Sequence, residues 1–155
     1  MTMMEFIGQL SIGLVMIGAT LGSVAGIGAV ARAATGAWAK EAKEGKALNF
    51  SYIILIGMPL SQTIYGFILV LVGFAPLVTG DNPVTATHTG TLLGIALAGG
   101  LAEFFSAWTQ GLIGASACRA LSEGDGKGLV FMIISMGIME TVGLFGFVFL
   151  LLVLP

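Results

Sequence analysis

Three features of this chain predict an all-α membrane protein of four transmembrane helices, arranged as two tandem hairpins. It is 57% hydrophobic with only 9% charged residues over 155 positions, and its mean hydropathy is +1.04, outside the range of soluble domains. Its apolar residues fall into four runs, each able to cross a bilayer, for which about 20 helical residues suffice. Its second half also repeats the first at a fixed offset. The expected organisation is a first hairpin over residues 1–80 and a second over 81–155. A net charge of −2 argues against nucleic acid as a partner. The 24 glycines suit helices that approach backbone to backbone in lipid.

The first run extends roughly from Phe6 to Ala37. It carries Glu5, has no Lys or Arg before Arg32, and continues too far for a signal-peptide core, so it is expected to stay as a helix. Gly18, Gly22 and Gly26 recur every four residues and share one face, where small residues let a neighbouring backbone come close. Arg32 is expected about one turn inside the cytoplasmic end of this helix, its stem snorkelling to the headgroups. The connector from Lys40 to Asn49 holds Lys40, Lys43 and Lys46, which places it on the cytoplasmic side.

The second run, Phe50 to Val78, leads to a connector from Gly80 to Thr89 that has Asp81, Pro83 and His88 but no Lys or Arg. That connector and both chain ends are therefore expected outside. His88 is read as a surface residue rather than a metal ligand. The third run, Gly90 to Cys118, continues the small-residue pattern through Gly94, Ala98, Ala102, Ser106, Gln110 and Gly114. Gln110 is the one long polar side chain on that stripe. Cys118, the single cysteine, excludes an internal disulfide and is expected to be a small packing residue. Arg119 and Lys127 put the next connector on the cytoplasmic side.

The fourth run, Leu129 to Leu154, contains one ionisable side chain, Glu140, near its middle. An acid there costs about 2.5 to 3.5 kcal/mol on insertion scales, so a helix that keeps one normally uses it for ions, protons or a paired partner. The bland alternative is a carboxyl that hydrogen-bonds a neighbouring helix.

At an offset of 80 the second run maps onto the fourth, with identities at Ile53 and Ile133, Ile54 and Ile134, Gly57 and Gly137, Gly66 and Gly146, Phe67 and Phe147, and Leu71 and Leu151. Each repeat contains two crossings, so the copies are parallel rather than inverted. Glu140 aligns with Leu60, so only one half has the acid. Counting about 1.5 Å per residue from the cytoplasmic ends places Ser61, Gln62, Gln110 and Glu140 roughly 12 to 18 Å deep, in one layer. Tyr65, one turn beyond Gln62, can bring its hydroxyl toward the carboxylate. A carboxylate, two carboxamide oxygens and one or two hydroxyls suit a hard cation, and one negative charge favours sodium or a proton over calcium.

The stretches Pro59-Leu60-Ser61-Gln62-Thr63-Ile64-Tyr65-Gly66-Phe67, Thr109-Gln110-Gly111 and Met139-Glu140-Thr141-Val142-Gly143-Leu144-Phe145-Gly146-Phe147 resemble the rotor-ring proteolipid of V/A-type rotary ATPases. The likeness is greatest to the K subunit of bacterial sodium-translocating V-type enzymes. It covers nearly the whole chain in helix count, duplication and length. What it implies is a closed ring of identical subunits in the cell membrane and an ion-carrying carboxylate at Glu140. It also implies amide ligands at Gln62 and Gln110, a hydroxyl ligand at Ser61, a backbone-carbonyl ligand at Met58, and Tyr65 holding the carboxylate in its ion-locked state. The cargo it implies is Na+, with H+ as the alternative. The partners it implies are lipid, a static membrane subunit with an essential arginine, and a central-stalk subunit on the cytoplasmic side. Serine at 61, where threonine is more familiar, keeps the oxygen but loses a methyl. Thr141, beside Glu140, has no assigned contact.

Glu103 departs from the family pattern. Seven residues before Gln110, it lies on nearly the same face about 10 Å farther out. It is expected to be a protonated or water-exposed carboxyl lining the ring interior or a crevice, with a second ion-handling acid as the alternative.

No catalytic centre is expected in the chain, since Gly45-Lys46 and Gly126-Lys127 lack the upstream glycine of a phosphate-binding loop. Three readings compete with a sodium rotor. A proton-carrying rotor needs only the carboxyl, leaving Gln62 and Gln110 superfluous. A small cation or drug antiporter with a membrane-embedded glutamate predicts an aromatic-lined pocket, whereas Trp38 lies at a helix end and Trp108 is the only tryptophan of its helix. A purely structural proteolipid tolerates Glu140→Gln.

Overall fold

The structure, a computed structural model, describes residues 2–79 and 85–155. Among the described residues every regular element is helical: α1 (Met3–Lys43), α2 (Ser51–Gly57), α3 (Ser61–Ile68), α4 (Ala75–Thr79), α5 (Thr85–Glu123) and α6 (Leu129–Leu152). They make four spans long and apolar enough to cross a membrane, the second running from Ser51 through Thr79. The expected fold class is therefore what the structure has, a multi-pass bundle of four helices.

The helices run longer than their apolar cores. α1 starts in a capping box, where Thr2 Oγ1 accepts from the Glu5 amide at 3.2 Å and Glu5 Oε2 accepts from the Thr2 amide at 2.7 Å, satisfying two of the free donors of a helix start. It ends only at Lys43, because nothing before Gly45 breaks it. Lys40 and Lys43 thus belong to the last helical turn rather than to a loop, and Arg32 sits about three turns inside the helix end rather than one. Asp81 and Pro83 lie outside the described residues. His88 is a correction: it is half-buried and lies within α5, at a kink with φ −117° and ψ 17°.

The second span is not one regular helix. Pro59 has no amide hydrogen to give, so the ladder is interrupted there and Met58–Leu60 tightens into a 3₁₀ turn. One turn beyond Tyr65, Leu69–Phe74 widens into a π-helical stretch, a form found mostly as short bulges and often at functional sites. Both irregularities flank the segment that carries Ser61, Gln62 and Tyr65.

Packing sets the direction of each span. A Cβ added to Gly18 would collide with the backbone of Gly100, one on Gly22 would lie 2.6 Å from Phe104 Cα, and one on Gly26 would collide with the Ala107 carbonyl. Numbers rise together on both helices, so α1 and α5 are parallel and in backbone contact along their middles. The second span opposes α1, since Gly66 rests on Ala19 and Pro59 on Gly26. α6 opposes α5, since Gly114 meets Met136 while Ala102 meets Gly146.

The third span's small-residue ladder therefore has a different role from the one its spacing suggests. Ala102, Ser106, Gln110 and Gly114 face α6, whereas the stripe that receives α1 is Gly100, Phe104, Ala107 and Gly111. Gly94 and Ala98, at the ladder's start, are exposed.

Both basic connectors meet at one end of the bundle. Lys46 Nζ donates to Asp125 Oδ1 at 2.8 Å and lies 3.0 Å from Glu44 Oε2. These carboxylates push the Lys46 ammonium up, and Lys46 holds the Asp125 carboxyl below its usual range. Beneath them Glu41 is buried, accepting the Tyr52 hydroxyl at 2.5 Å and the Asn49 amide at 2.9 Å. Cys118 is fully buried in the adjoining cluster of Val30, Tyr52, Leu55, Leu121 and Met136, a packing residue as expected.

Candidate ion-binding site

Glu140 is half-buried in the protomer, near the middle of α6. Tyr65, on α3, donates its hydroxyl to Glu140 Oε1 at 2.9 Å, and its ring stacks on Phe147 with centroids 5.9 Å apart. Gln110 Nε2 donates to the Met136 carbonyl at 3.0 Å and reaches Glu140 Oε2 at 3.5 Å. Three spans thus converge on one carboxylate.

Beside it stands a second set of oxygens. Because Pro59 forces the 3₁₀ turn, the Met58 carbonyl is drawn toward Ser61 and accepts both its amide and its hydroxyl, the latter at 3.0 Å. The same hydroxyl lies 3.3 Å from Gln62 Oε1. Gln62, fully buried, uses its amide hydrogens elsewhere, donating to Ser106 Oγ at 3.1 Å. Its oxygen is left facing Ser61. The carboxamide of Gln110 is likewise oriented by its donor end, and its Oε1 is buried with no hydrogen-bond partner.

An orphaned buried acceptor is costly, about 1 to 3 kcal/mol for a neutral group, and few native groups are left so. Here two amide side chains are each pinned by the nitrogen, leaving the oxygens free. A positive charge is what such an arrangement lacks. The donor set is all hard oxygen, and among the described residues no group of three or more His, Cys, Asp or Glu could hold a metal of another kind.

Met58, Ser61, Gln62, Tyr65, Gln110 and Glu140, gathered in the sequence by depth and by likeness, thus occupy one neighbourhood. Thr141 does not join them: it is exposed and donates to the Gly137 carbonyl of its own helix at 2.8 Å. Glu103 also differs from expectation. It faces neither water nor a crevice, being 0% exposed and turned toward α6.

Ser106 is a residue that sequence reasoning passes over. Its hydroxyl accepts from Gln62 and donates to the Met139 carbonyl at 2.7 Å, tying the second, third and fourth spans together. The signal is present, since Ser106 lies one turn before Gln110 on the same face.

Residues 93–153 match the family of the ATP synthase C subunit. The matched segment runs from the first third of α5 to one residue past α6, and it holds Glu103, Ser106, Gln110 and Glu140. No curated protein matches the chain. Over its second hairpin, the chain is similar to the C-type proteolipids of ATP synthases, membrane components that translocate ions and catalyse nothing themselves.

Proposed function

We propose that the chain is the rotor-ring subunit of a V-type rotary ATPase and carries Na+ across the membrane on Glu140 during ATP-driven rotation. The observation that carries this reading is the pairing of Glu140 with the unpartnered, buried Oε1 of Gln110. A proton needs the carboxyl alone; an alkali cation uses the amide oxygens as well. Gln62 Oε1, Ser61 Oγ and the Met58 carbonyl complete the cage, once the Ser61 hydroxyl rotates its hydrogen away from Met58 and offers a lone pair.

In this reading copies close head to tail into a ring, with both chain ends outside and the Lys/Arg-bearing connectors cytoplasmic. The many exposed apolar side chains, from Ile17 and Leu21 on α1 to Phe145 and Phe149 on α6, face lipid or the next protomer. Sodium neutralises Glu140 so that it passes the lipid, and Tyr65 holds the carboxylate inward while it travels. At the static subunit an arginine competes for the carboxylate through charge-assisted hydrogen bonds, and the ion leaves by one half-channel. Each charge moved across 100 mV corresponds to about 2.3 kcal/mol. With one acid per four helices fewer ions move per turn, which suits pumping. The central stalk meets the cytoplasmic connectors, and ATP is hydrolysed by other subunits.

Labelling with dicyclohexylcarbodiimide, which attacks protonated buried carboxyls, tests the reading. Modification of Glu140 should slow as sodium is raised at constant pH and ionic strength. Labelling that ignores sodium and falls only with rising pH would assign the ring to protons. A monomer or dimer in mild detergent, in place of a large stable ring, would point to the antiporter.

A further inference from the structure

We propose that Glu103 is a second, proton-binding carboxyl of the ion site, so that a protomer with a monovalent cation at Glu140 also holds a proton at Glu103, the two occupancies being linked. This rests on the sodium-carrying reading of Glu140 and adds to it a site of different cargo.

Glu103 is fully buried, and neither of its oxygens has a hydrogen-bond partner. Its place is made by a glycine on another helix. A Cβ on Gly143 would lie 2.8 Å from Glu103 Oε2 and 2.9 Å from Ser106 Oγ. The missing side chain leaves a notch in α6 into which both oxygens are turned. Gly143 is one turn past Glu140, so the notch adjoins the cation site.

The donors and acceptors around the notch select the protonated acid. An ionised carboxylate in an apolar interior needs donors, and no hydrogen bond reaches it. A neutral carboxyl needs an acceptor for its O–H. Ser106 Oγ gives its one hydrogen to the Met139 carbonyl and uses one lone pair on Gln62 Nε2, which leaves one lone pair. That lone pair faces the same notch as Glu103. Protonated Glu103 thus adds the last link to a line that runs through Ser106 and Gln62 to Ser61.

Few charges compete for this proton. α6 brings only Glu140, the second span brings Tyr65, and α1 has no acid or base between Glu5 and Arg32. α5 has none other than Glu103 between His88 and Arg119. Charge coupling is therefore between the two glutamates. While Glu103 keeps its proton the site carries one negative charge and can release its cation. Removing that proton to water in the access path makes Glu140 hold its cation more tightly, and by reciprocity an empty, ionised Glu140 tightens Glu103's hold on its proton.

The test uses the purified oligomer. Binding of radioactive sodium is measured from pH 6 to pH 9.5 in wild type and in Glu103→Gln, which keeps the shape and can still hydrogen-bond Ser106. The wild-type midpoint should fall on alkalinisation by about tenfold more than that of the variant, a typical coupling. Identical pH profiles would reduce Glu103 to a packing residue and overturn the proposal, and so would two sodium ions per wild-type protomer. Failure of the variant to assemble leaves a second arm, site-resolved carbodiimide labelling in Glu140→Gln. Modification of Glu103 there supports a proton site that exchanges with the pathway; its absence at every pH overturns it. Wild-type oligomer that binds no sodium would instead refute the sodium reading of Glu140, a result that the labelling arm separates from failure at Glu103.

Discussion

Tyr65→Phe removes one hydrogen bond and little else, which makes it the sharpest probe of the carboxylate's setting. The phenyl ring keeps its stack on Phe147, so only the 2.9 Å bond to Glu140 Oε1 is lost. A hydrogen bond to a charged acceptor contributes about 1.5 to 3 kcal/mol, and one between neutral groups about 0.5 to 1.5 kcal/mol. The sodium-bound site presents a carboxylate to the tyrosine, whereas the competing protonated site presents a neutral acid. The variant therefore loses the difference, about 1 to 1.5 kcal/mol, and the sodium midpoint should rise by about five- to tenfold. Thermal stability should change little, because Tyr65 is half-buried and its apolar contacts survive. The assay is sodium protection of Glu140 against carbodiimide in intact rings at fixed pH. A midpoint within twofold of wild type would mean that the hydroxyl does not hold the carboxylate in the ion-bound state.

Other parts of the fold give equally direct tests. Gly22→Leu should destabilise the protomer by about 1 to 3 kcal/mol or more by overpacking, because its Cβ would lie 2.6 Å from the Phe104 backbone; Gly36→Ala, where the Cβ meets nothing within 4 Å, is the control in a thermal melt in detergent. Tyr52→Phe should lower stability in the same melt by about 1 to 3 kcal/mol, because it leaves an oxygen of buried Glu41 without its donor. The Lys46–Asp125 pair should stabilise the joined connectors above the ordinary aspartate range and stop doing so as pH falls through Asp125's lowered value, since a depressed carboxyl loses its contribution on protonation. Hydrogen exchange in residues 124–128 should show that dependence, which Asp125→Asn abolishes and high salt weakens.

The number of spans and the depth of their polar residues are legible from the sequence because lipid imposes them. A backbone in hydrocarbon must be helical, so hydropathy gives the spans and about 1.5 Å per residue gives a depth. That arithmetic puts Ser61, Gln62, Gln110 and Glu140 in one layer, and the structure brings these side chains into one neighbourhood. The chain's own irregularities are less legible. Pro59 marks a weak point in the second span, but nothing in Leu69–Phe74 announces a π-helical stretch, since Leu, Val, Gly and Phe are equally at home in a regular turn. The long reach of α1 beyond Ala37 escapes a reading by hydropathy, because charged residues end an apolar run without ending a helix.

What a single membrane sequence withholds is direction around the helix axis. In water a polar face marks the outside; in lipid the outside is as apolar as the core, so α1 and α5 present no contrast from which to orient them. The ladder from Gly94 to Gly114 has the spacing of a contact surface for a neighbouring inner-wall helix, yet its central members turn to α6, while Gly100, Phe104, Ala107 and Gly111 take the backbone of α1. Glu103 escapes for the same reason. Its depth follows from its position, but its burial depends on the missing side chain of Gly143, which lies on another helix. Only the juxtaposition of Glu103, Ser106 and Gly143 turns a carboxyl expected to face water into one whose proton has a single acceptor. Gly143→Ala should then separate Glu103 from Ser106 without touching Glu140, and the pH dependence of sodium binding should shift toward that of Glu103→Gln.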